Sequence, residues 1–175
     1  MIEKDKYRVV NRLLEQKIVA IFQGQSEYGP RALGNRSILF DPRNKNAKEI
    51  INTVKNRKWY QPFACTIMLE HVHDYFDMKQ LKESPWMSFA IDCKQKAIEE
   101  VPGIVHVDNT CRVQTLTKEQ NIFYYDLLEE WYRQTKCPIL LNTSFNLKGE
   151  AIVETLDDAI DTVNRSDIDV LYVSE

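Results

Sequence analysis

Short apolar runs, separated by loops of glycine and polar residues, constrain the fold of this chain more than any other feature. Their lengths and their apolar or β-branched composition are typical of strands rather than of long helices. We interpret the following runs as strands: 18–22, 37–40, 63–69, 86–91, 104–107, 112–117, 138–141 and 170–173. Residues 108–110 then predict a hairpin turn between two of these strands.

Amphipathic segments lie between the predicted strands. The clearest covers residues 122–134, where apolar residues recur at helical spacing. Further helices are predicted over 2–16, 47–54, 71–76 and 156–163. Thr155 and Asp158 predict a capping box at the start of the last helix. Because helices and strands do not alternate strictly, the pattern favours an α/β or α+β fold with a mixed sheet over a doubly wound parallel sheet.

The chain has 175 residues, of which 43% are hydrophobic and 28% charged, and these values are typical of one globular domain. No apolar stretch approaches the roughly 20 residues of a membrane span. Residues 1–6 carry mixed charges and are not followed by the apolar run of a signal peptide, so we expect a cytoplasmic protein without membrane contact. The four cysteines form no C-x-x-C pair, which predicts buried free thiols rather than zinc ligands or disulfides.

Positive charge is concentrated in one part of the chain. Between Pro30 and Tyr60 there are eight basic and two acidic residues, a net charge of +6, whereas the whole chain carries -3. The remainder is therefore at -9. A local basic cluster in an acidic chain indicates a small anionic ligand and argues against nucleic acid as a partner. A solvated basic surface is the alternative interpretation.

Two short basic patterns lie in this region. The loop at 29–37 contains two glycines and two arginines, Arg31 and Arg36, and can bring backbone N–H and guanidinium groups to a phosphate. Lys55 and Arg57 lie two residues apart after a predicted helix, and would project to one side of an extended segment. Both patterns also fit structural roles, as a turn with solvated arginines and as a basic helix end.

Uncharged polar residues follow the predicted strand at 138–141. Asn142, Ser144 and Asn146 can hydrogen-bond a phosphate or a ribose without adding charge, or can close a turn on themselves. Arg112 follows the predicted hairpin turn and is a further candidate cation, with a paired surface arginine as the alternative. No cluster of histidines or cysteines predicts a metal site.

Four strings occur in a fixed order: GPRALGNRSI at 29–38, K-x-R followed by P-F-A within 55–64, H-V-D-x-T-x-R-V-Q at 106–114, and L-L-N-T-S-F-N at 140–146. Together they resemble the C-terminal domain of the O-carbamoyltransferases, a family that includes the nodulation-type enzymes and those that carbamoylate antibiotics. The resemblance covers about residues 20–173, and four motifs in register make it highly specific.

The resemblance implies a YrdC-like fold, with a twisted mixed sheet flanked by helices and a concave basic ligand surface. It also implies an enzyme that binds ATP and carbamoyl phosphate and forms carbamoyl-adenylate, with release of phosphate and pyrophosphate. In full-length members a metal-containing N-terminal domain, related to actin and the sugar kinases, then transfers the carbamoyl group to a hydroxyl. Residues 1–175 would be the single C-terminal domain, with the transfer domain absent here and supplied in cis or in trans.

The same resemblance assigns roles to the polar residues. Lys55 and Arg57 match the K-x-R signature of the wider family and would hold the nucleotide phosphates. Ser144 and Asn146 match its S-x-N signature and would orient the α-phosphate or the ribose, and Asn142 would support their loop.

Arg31 and Arg112 would grip carbamoyl phosphate and the carbamate that develops from it, and Arg36 is a weaker candidate for the same site. Lys55, Arg31 and Arg112 are thus the predicted catalytic residues. Carbamate would attack the α-phosphorus of ATP and expel pyrophosphate, so Mg²⁺ is expected with the nucleotide. The sequence departs from the family at Gln61, where an arginine is usual.

Two other functions stay open at this point. One is a YrdC-type acyl-adenylate synthase for tRNA modification, against which the carbamoyltransferase strings at 29–38 and 106–114 argue. The other is a non-catalytic module that binds a nucleotide or RNA. Gln61 favours this last function, because no cation stands where the family has its arginine.

Overall fold

A computed structural model describes residues 1–174 of the chain, and within them one sheet of nine strands forms. In chain order the strands are β1 Ile2–Glu3, β2 Val19–Phe22, β3 Arg36–Phe40, β4 Ala64–Met68, β5 Phe76–Asp77, β6 Ala90–Cys93, β7 Thr110–Leu116, β8 Ile139–Ser144 and β9 Val170–Val173. Their spatial order is β1-β9-β2-β3-β8-β4-β7-β6-β5. The pairs β1–β9, β2–β9 and β4–β7 are parallel and the other pairs are antiparallel, so the sheet is mixed, as predicted.

Six helices cover the two faces of this sheet. They are α1 Lys6–Leu14, α2 Ala47–Val54, α3 Val72–Tyr75, α4 Gln95–Glu100, α5 Ile122–Thr135 and α6 Leu156–Asn164. Residues of α1 and α5 form one apolar core with Leu140 of β8, and residues of the other four helices form a second core with Leu141. Neighbouring strand residues therefore face different cores, which explains why the strands are apolar on both faces.

Two of the predicted strands are wrong. Most of the run 86–91 lies outside β6, and Met87 within it has a left-handed φ of 54°, which interrupts an extended segment. The run 104–107 forms no strand and begins within a 3-10 turn at Pro102–Ile104, so the predicted hairpin is wrong as well. Its would-be partner β7 already pairs with β4 on one side and β6 on the other, which leaves no free edge.

The longer helices agree with the sequence prediction. The prediction over 47–54 matches α2, and that over 122–134 matches α5 to within one residue. The capping box of α6 is confirmed. Thr155 Oγ1 accepts from the Asp158 N–H at 3.2 Å, and the Asp158 carboxylate accepts from the Thr155 N–H at 2.9 Å.

Helix predictions failed where an element is short. The predicted helix over 2–16 is shorter at both ends, because Asp5 caps α1 and the residues before it pair with β9. The prediction over 71–76 covers the four residues of α3 and then enters β5. α4 was not predicted, since it has six residues and buries only Ala97. None of the helices within residues 1–174 is long and apolar enough to cross a membrane.

The cysteines are free thiols, as predicted, and three of the four are buried. Cys93 is the half-buried one. Burial raises the pKa of Cys93 and of Cys137 to about 12, so both stay protonated and unreactive near neutral pH.

Two glycines of one loop have nearly the same backbone conformation and different surroundings, which allows a matched test. Gly29 has φ +115° with open space where a Cβ would lie, whereas at Gly34, with φ +118°, a Cβ would overlap the ring of Tyr124. We expect Gly29→Ala to cost about 1–2 kcal/mol through backbone strain. Gly34→Ala should cost about 1–3 kcal/mol more, because the ring must move. Urea denaturation measures both variants, and equal losses would contradict the close approach of Tyr124.

Candidate functional site

One row of residues across three neighbouring strands forms the floor of a cleft. Arg112 of β7 and Asn142 of β8 are both register partners of Ala64, which lies between them on β4. Paired residues share a face of the sheet, so the small side chain of Ala64 leaves a gap between a guanidinium and an amide. The cleft above this gap has a volume of about 500 Å³, and residues 29–32 form part of its wall.

A network of amides and a hydroxyl fixes this floor. Asn142 Nδ2 donates to Thr66 Oγ1 at 3.0 Å and to Gln114 Oε1 at 3.2 Å, and it also reaches the Ala32 carbonyl at 3.2 Å. Gln114 Nε2 in turn donates to the Leu33 carbonyl at 3.0 Å. These contacts set the orientation of the Asn142 amide. Its Oδ1 is buried and has no hydrogen-bond partner within the described chain, so the cleft-lining Asn142 keeps an unused acceptor.

A half-buried carboxylate, which the sequence analysis did not identify, holds the loop that covers the cleft. Glu27 Oε1 accepts from the Leu33 N–H at 2.8 Å and the Asn35 N–H at 3.0 Å, and Oε2 accepts from the Arg36 N–H at 3.2 Å. The Gly34 N–H donates to a serine hydroxyl at 3.0 Å. The backbone N–H groups from residue 33 to 36 are thus used internally and do not point to a phosphate. The predicted phosphate cradle is therefore wrong for this part of the loop.

Arg31 and Arg112 bring two positive charges into the cleft, one from the loop and one from β7. Burial lowers the pKa of the Arg31 guanidinium, and the charge of Arg112 lowers it further. Neither guanidinium forms an ion pair within the part of the chain that the structure describes. Two like charges without a carboxylate partner favour an anion in the space that they share.

Arg57 is the third cation of the cleft wall, whereas Lys55 does not line the cleft. The prediction that these two residues project from one extended segment is wrong. Lys55 ends α2, and Asn56 has a left-handed φ of 51°. Burial lowers the pKa of Arg57 as well.

Lys55 is fully buried beneath the end of β8. Its ammonium donates to the Ser144 carbonyl, to Ser144 Oγ at 3.3 Å and to Asn146 Oδ1 at 3.0 Å. Burial holds the pKa of this ammonium well below its ordinary value, and the charge of Arg57 is a second cause. In this structure Lys55 therefore positions the polar end of β8 through its contacts with Ser144 and Asn146.

Ser144 and Asn146 line the cleft and also close a turn. Ser144 Oγ donates to Asn146 Oδ1 at 2.7 Å, and Asn146 Nδ2 donates to the Glu150 carbonyl at 2.8 Å. The self-closing turn is confirmed, and the ligand-site interpretation stays a prediction. β8 itself runs on to Ser144, three residues beyond the predicted strand.

Arg36, like Lys55, is a predicted site residue that does not line the cleft. Its side chain is buried, and the guanidinium lies 3.7 Å from the centre of the Phe22 ring. Nη1 donates to the carbonyls of Gln23 at 2.8 Å and Asn35 at 3.0 Å. Arg36 lies at the start of β3, and its guanidinium reaches the carbonyls of Gln23 and Asn35 at the two ends of the loop. It therefore holds these two ends together.

Residues of the H-V-D-x-T string hydrogen-bond to one another and to the segment before β4, at the point where β7 begins. His106 Nε2 donates to the Phe63 carbonyl at 2.8 Å, and His106 Nδ1 lies 3.1 Å from Thr110 Oγ1. Asp108 Oδ1 accepts from the backbone and the hydroxyl of Thr110 at 3.1 and 2.8 Å. The motif therefore ties the start of β7 to the segment before β4, and so it fixes the position of Arg112.

The cleft as a whole carries three guanidinium groups and one carboxylate, that of Glu150. Glu150 Oε1 pairs with Arg165 at 2.8 Å, outside the cleft wall. Within residues 1–174 no group of three or more His, Cys, Asp or Glu side chains is placed to hold a metal ion. The arrangement is therefore a positive cleft with neutral amides and hydroxyls at its floor, which suits an anion with further polar groups.

Solved structures place the fold in the YrdC-like class. Full-length HypF in its phosphate- and nucleotide-bound form gives a TM-score of 0.69 at 21% identity, over 95% of this chain and 24% of that chain. E. coli YciO gives 0.67 at 14% identity, over 100% and 82%. A P. abyssi Sua5 variant gives 0.67 at 12%, over 98% and 52%. At these identities the matches establish the fold, and they confirm the fold class that the sequence predicted.

The chain belongs to the carbamoyltransferase C-terminus family, which it matches over residues 10–175. An uncharacterized protein of Methanocaldococcus jannaschii is 41% identical over 172 residues, which are 98% of this chain and 33% of that protein. Nodulation protein NolO of Bradyrhizobium diazoefficiens is 41% identical over 158 residues, 89% and 29%. The predicted family is confirmed, and the chain spans about a third of the length of these relatives.

Sequence reasoning missed Glu27, Ala64 and Thr66 as parts of the site. Ala64 and Thr66 lie within a correctly predicted strand, and a small residue next to a hydroxyl was the available signal for a gap in the sheet. Glu27 lies in an irregular loop and its partners are six to nine residues away, so no periodic pattern marks it. The shared face of Arg112 with Gln114 follows from strand alternation in β7.

The substitution Glu27→Gln tests how the raised pKa of the Glu27 carboxyl affects stability. Because burial raises the pKa of Glu27 above its ordinary 4.5, the folded protein binds this proton more tightly than the unfolded chain does. The stability linked to protonated Glu27 is fully present below pH 4.5 and is lost as the pH rises through the raised value. We therefore expect the free energy of unfolding of the wild type, relative to the variant, to fall as the pH rises from 4.5 toward neutrality.

Urea denaturation at a series of pH values measures this difference. Glu129→Gln, at an exposed position of α5, is the matched control for the change of side-chain charge. Burial raises the pKa of Glu27, and its three backbone hydrogen bonds lower it. If the free energy of unfolding of the wild type, relative to the variant, rose with pH, the hydrogen bonds would outweigh burial and the prediction would be contradicted.

Proposed function

We propose that this domain binds ATP and carbamoyl phosphate in the cleft and forms carbamoyl-adenylate, so that it acts as the adenylating part of an ATP-dependent O-carbamoyltransferase. One observation carries the proposal. Arg31, Arg57 and Arg112 come from three separate segments, line one cleft of about 500 Å³, and form no ion pair within residues 1–174. Membership of the carbamoyltransferase family supports the reaction class, and the HypF structure of the same fold, which is a phosphate- and nucleotide-bound form, supports the ligand class.

The three cations divide between the two substrates. Arg31 and Arg112, whose charges repel each other, would grip carbamoyl phosphate and the carbamate that forms from it. Arg57 would hold the nucleotide phosphates, and Lys55 would position Ser144 and Asn146 beside it.

The reaction balances with water as a further reactant. Water cleaves carbamoyl phosphate to carbamate and inorganic phosphate. A carbamate oxygen then attacks the α-phosphorus of ATP, the bond to the β-phosphate oxygen breaks, and pyrophosphate leaves with the electron pair. No covalent enzyme intermediate is needed, so the residues act by holding and orienting anions and by stabilising the charge that builds up. Ser144 and Asn146, at the floor of the cleft, would orient the α-phosphate or the ribose.

Magnesium is part of this proposal as a companion of ATP. The cleft offers it one carboxylate, Glu150, so the nucleotide phosphates would supply most of its ligands. The ion would neutralise phosphate charge. The residues of the chain would bind the remaining anionic oxygens.

The transfer step is assigned to another domain. The chain spans 33% and 29% of the two relatives compared above, and we propose that an actin- and sugar-kinase-like domain, in cis or in trans, passes the carbamoyl group to a hydroxyl acceptor. Free thiols at all four cysteines fit a reducing compartment, so the proposal includes a cytoplasmic location.

An acyl-adenylate synthase for tRNA modification is the second candidate, because the P. abyssi Sua5 structure shares the fold with a TM-score of 0.67. That enzyme class would need bicarbonate and threonine in place of carbamoyl phosphate.

A binding module without activity is the third candidate. Gln61, which suggested it, does not line the cleft, and its Oε1 is buried without a partner in the described chain. The neutral side chain at position 61 therefore does not reduce the number of arginines that line the cleft, and the argument from Gln61 for an inactive binding module is weakened.

Pyrophosphate release tests the proposal. We expect release by the purified chain with ATP, Mg²⁺ and carbamoyl phosphate, and not with bicarbonate and threonine. Arg112→Ala should lower the rate about 100-fold or more, because it removes a cation that stabilises developing charge. Arg133→Ala is the matched control, since Arg133 is exposed and pairs with Glu130 on α5. Lys55→Ala is a poorer test, because it leaves a buried cavity below Ser144.

Two results would contradict the proposal. One is release that does not depend on carbamoyl phosphate, and the other is an equal rate for the Arg112→Ala and Arg133→Ala variants. If ATP binds and no pyrophosphate appears, Gln61→Arg separates the causes. A rate restored by this substitution assigns the defect to position 61, and an unchanged rate assigns it to a requirement for the proposed transfer domain.

A further inference from the structure

We propose that His106 positions Arg112 and that it does so as an imidazolium, so that the cleft binds carbamoyl phosphate less tightly as the pH rises. This inference concerns the regulation of the site proposed above and rests on that function. His106 does not line the cleft and lies in a neighbouring groove, so it is a positioning residue and not a ligand of the anion.

His106 connects the two strands that carry the edge of the cleft floor. Its Nε2 donates to the carbonyl of Phe63, the residue before β4, at 2.8 Å. Its Nδ1 lies 3.1 Å from Thr110 Oγ1, and Thr110 begins β7 two residues before Arg112. Ala64 and Arg112 are register partners at the start of this strand pair. One imidazole ring therefore contacts both strands within two residues of the pair that sets the place of Arg112.

The hydrogen bonds around this ring can all form only if both ring nitrogens carry a proton. Because the Phe63 carbonyl is an acceptor, Nε2 must be protonated. The Thr110 hydroxyl has one proton, and it donates this proton to Asp108 Oδ1 at 2.8 Å, since a carboxylate is a stronger acceptor than a neutral ring. Thr110 Oγ1 then presents a lone pair to Nδ1, which must donate. The neutral ring loses one of these three contacts.

Asp108 provides the negative charge at the end of this series of hydrogen bonds. Its Oδ1 also accepts from the Thr110 N–H at 3.1 Å. Hydrogen bonds from the side chain and then the backbone of Thr110 lower the pKa of Asp108, and the charge of His106 is a smaller cause in the same direction. The carboxylate is thus ionised near neutral pH, and it competes with the ring for the hydroxyl proton of Thr110.

The other charges around the ring nearly balance. Two lysines and two carboxylates line the groove that His106 lines: Lys45, Lys48, Glu49 and Asp108. On β6, Asp92 is the register partner of Thr110 and pairs with Lys79 at 2.7 Å. Cys93 stays a neutral thiol, because burial raises its pKa to about 12. The hydrogen bonds of the ring therefore decide which of its forms fits the fold.

Arg112 is the charged group of β7 on this side, two residues from Thr110 and on the same face of the strand. Its charge opposes a positive ring at His106. An anion bound to Arg112 reduces that opposition, so anion binding and the proton on His106 favour each other. This effect has the same sign as the positioning effect.

Histidine changes its charge between about pH 5 and pH 8. Below this range the imidazolium holds both Phe63 and Thr110. As the pH rises, the ring loses the proton on Nδ1, because Nε2 keeps its bond to the carbonyl. The single hydroxyl proton of Thr110 then has to serve both the ring and Asp108. The start of β7 is held less firmly, and Arg112 with it.

Titration calorimetry with carbamoyl phosphate at about pH 6 and pH 8 tests the inference. We expect the dissociation constant of the wild type to rise about 2- to 10-fold between these values, the size expected for one hydrogen bond. Thr110→Val removes the hydroxyl and keeps the branched shape, so it should bind weakly at both pH values, without this rise. Thr110→Ser should restore the rise. His73→Gln, at an exposed position of α3, is the matched control and should behave as the wild type does.

Nitrogen-15 spectra of the histidine rings give a second measurement, which needs no ligand. We expect both ring nitrogens of His106 to carry a proton at about pH 6, and Nε2 alone to carry one at about pH 8. The spectrum of a His106→Gln variant identifies the signals by their loss. Titration of carbamoyl phosphate itself is the same for every variant, so comparison with Thr110→Val removes it from the binding data.

Three results would overturn the inference and leave the proposed function standing. The first is a neutral His106 ring at pH 6. The second is a wild-type affinity that changes with pH no more than that of Thr110→Val. The third is a Thr110→Val variant that binds as tightly as the wild type at pH 6. If the wild type binds no carbamoyl phosphate at either pH, the proposed function fails and the inference fails with it.

Discussion

The carboxylate of Glu27 is the interaction on which the cleft depends. It binds the N–H side of the covering loop, at Leu33, Asn35 and Arg36. The carbonyl side of the same loop, at Ala32 and Leu33, accepts from amides of the sheet floor. The loop is therefore held from both sides although it has no regular secondary structure. Because an internal anion already uses the backbone donors, the loop meets a ligand through the side chain of Arg31.

The cleft gathers positive charge that the rest of the fold does not neutralise. Arg31, Arg57 and Arg112 lie in one cavity, and the ammonium of Lys55 lies buried behind it with uncharged acceptors only. Like charges in a partly buried site destabilise the folded chain. Such a cluster of cations is typical of a site for an anionic ligand. A bound anion reduces the repulsion between the guanidinium groups and is stabilised by their positive charge.

The sequence predicted what local strings and periodicity determine. The fold class followed from the strings, the long helices α2 and α5 followed from their apolar spacing, and Arg31, Arg57 and Arg112 were among the predicted cations. What it did not predict depends on contacts between distant segments. A lysine at a helix end is ordinarily solvated. Lys55 is buried because Ser144, 89 positions away, brings its oxygens to the ammonium.

The failed strand at 104–107 has a related cause. An apolar run predicts a strand only if a neighbouring edge is free, and both edges of β7 are occupied. Val107 is consequently 96% exposed, where the apolar pattern alone predicts burial.

A crystal structure of the chain with bound pyrophosphate tests the central claim, that the arginines of the cleft bind anions. The account predicts pyrophosphate oxygens about 3 Å from the guanidinium group of Arg57, which is assigned to the nucleotide phosphates, inside the cleft that Arg31 and Arg112 also line. Pyrophosphate ordered elsewhere on the surface, with the cleft holding only water, would contradict the account.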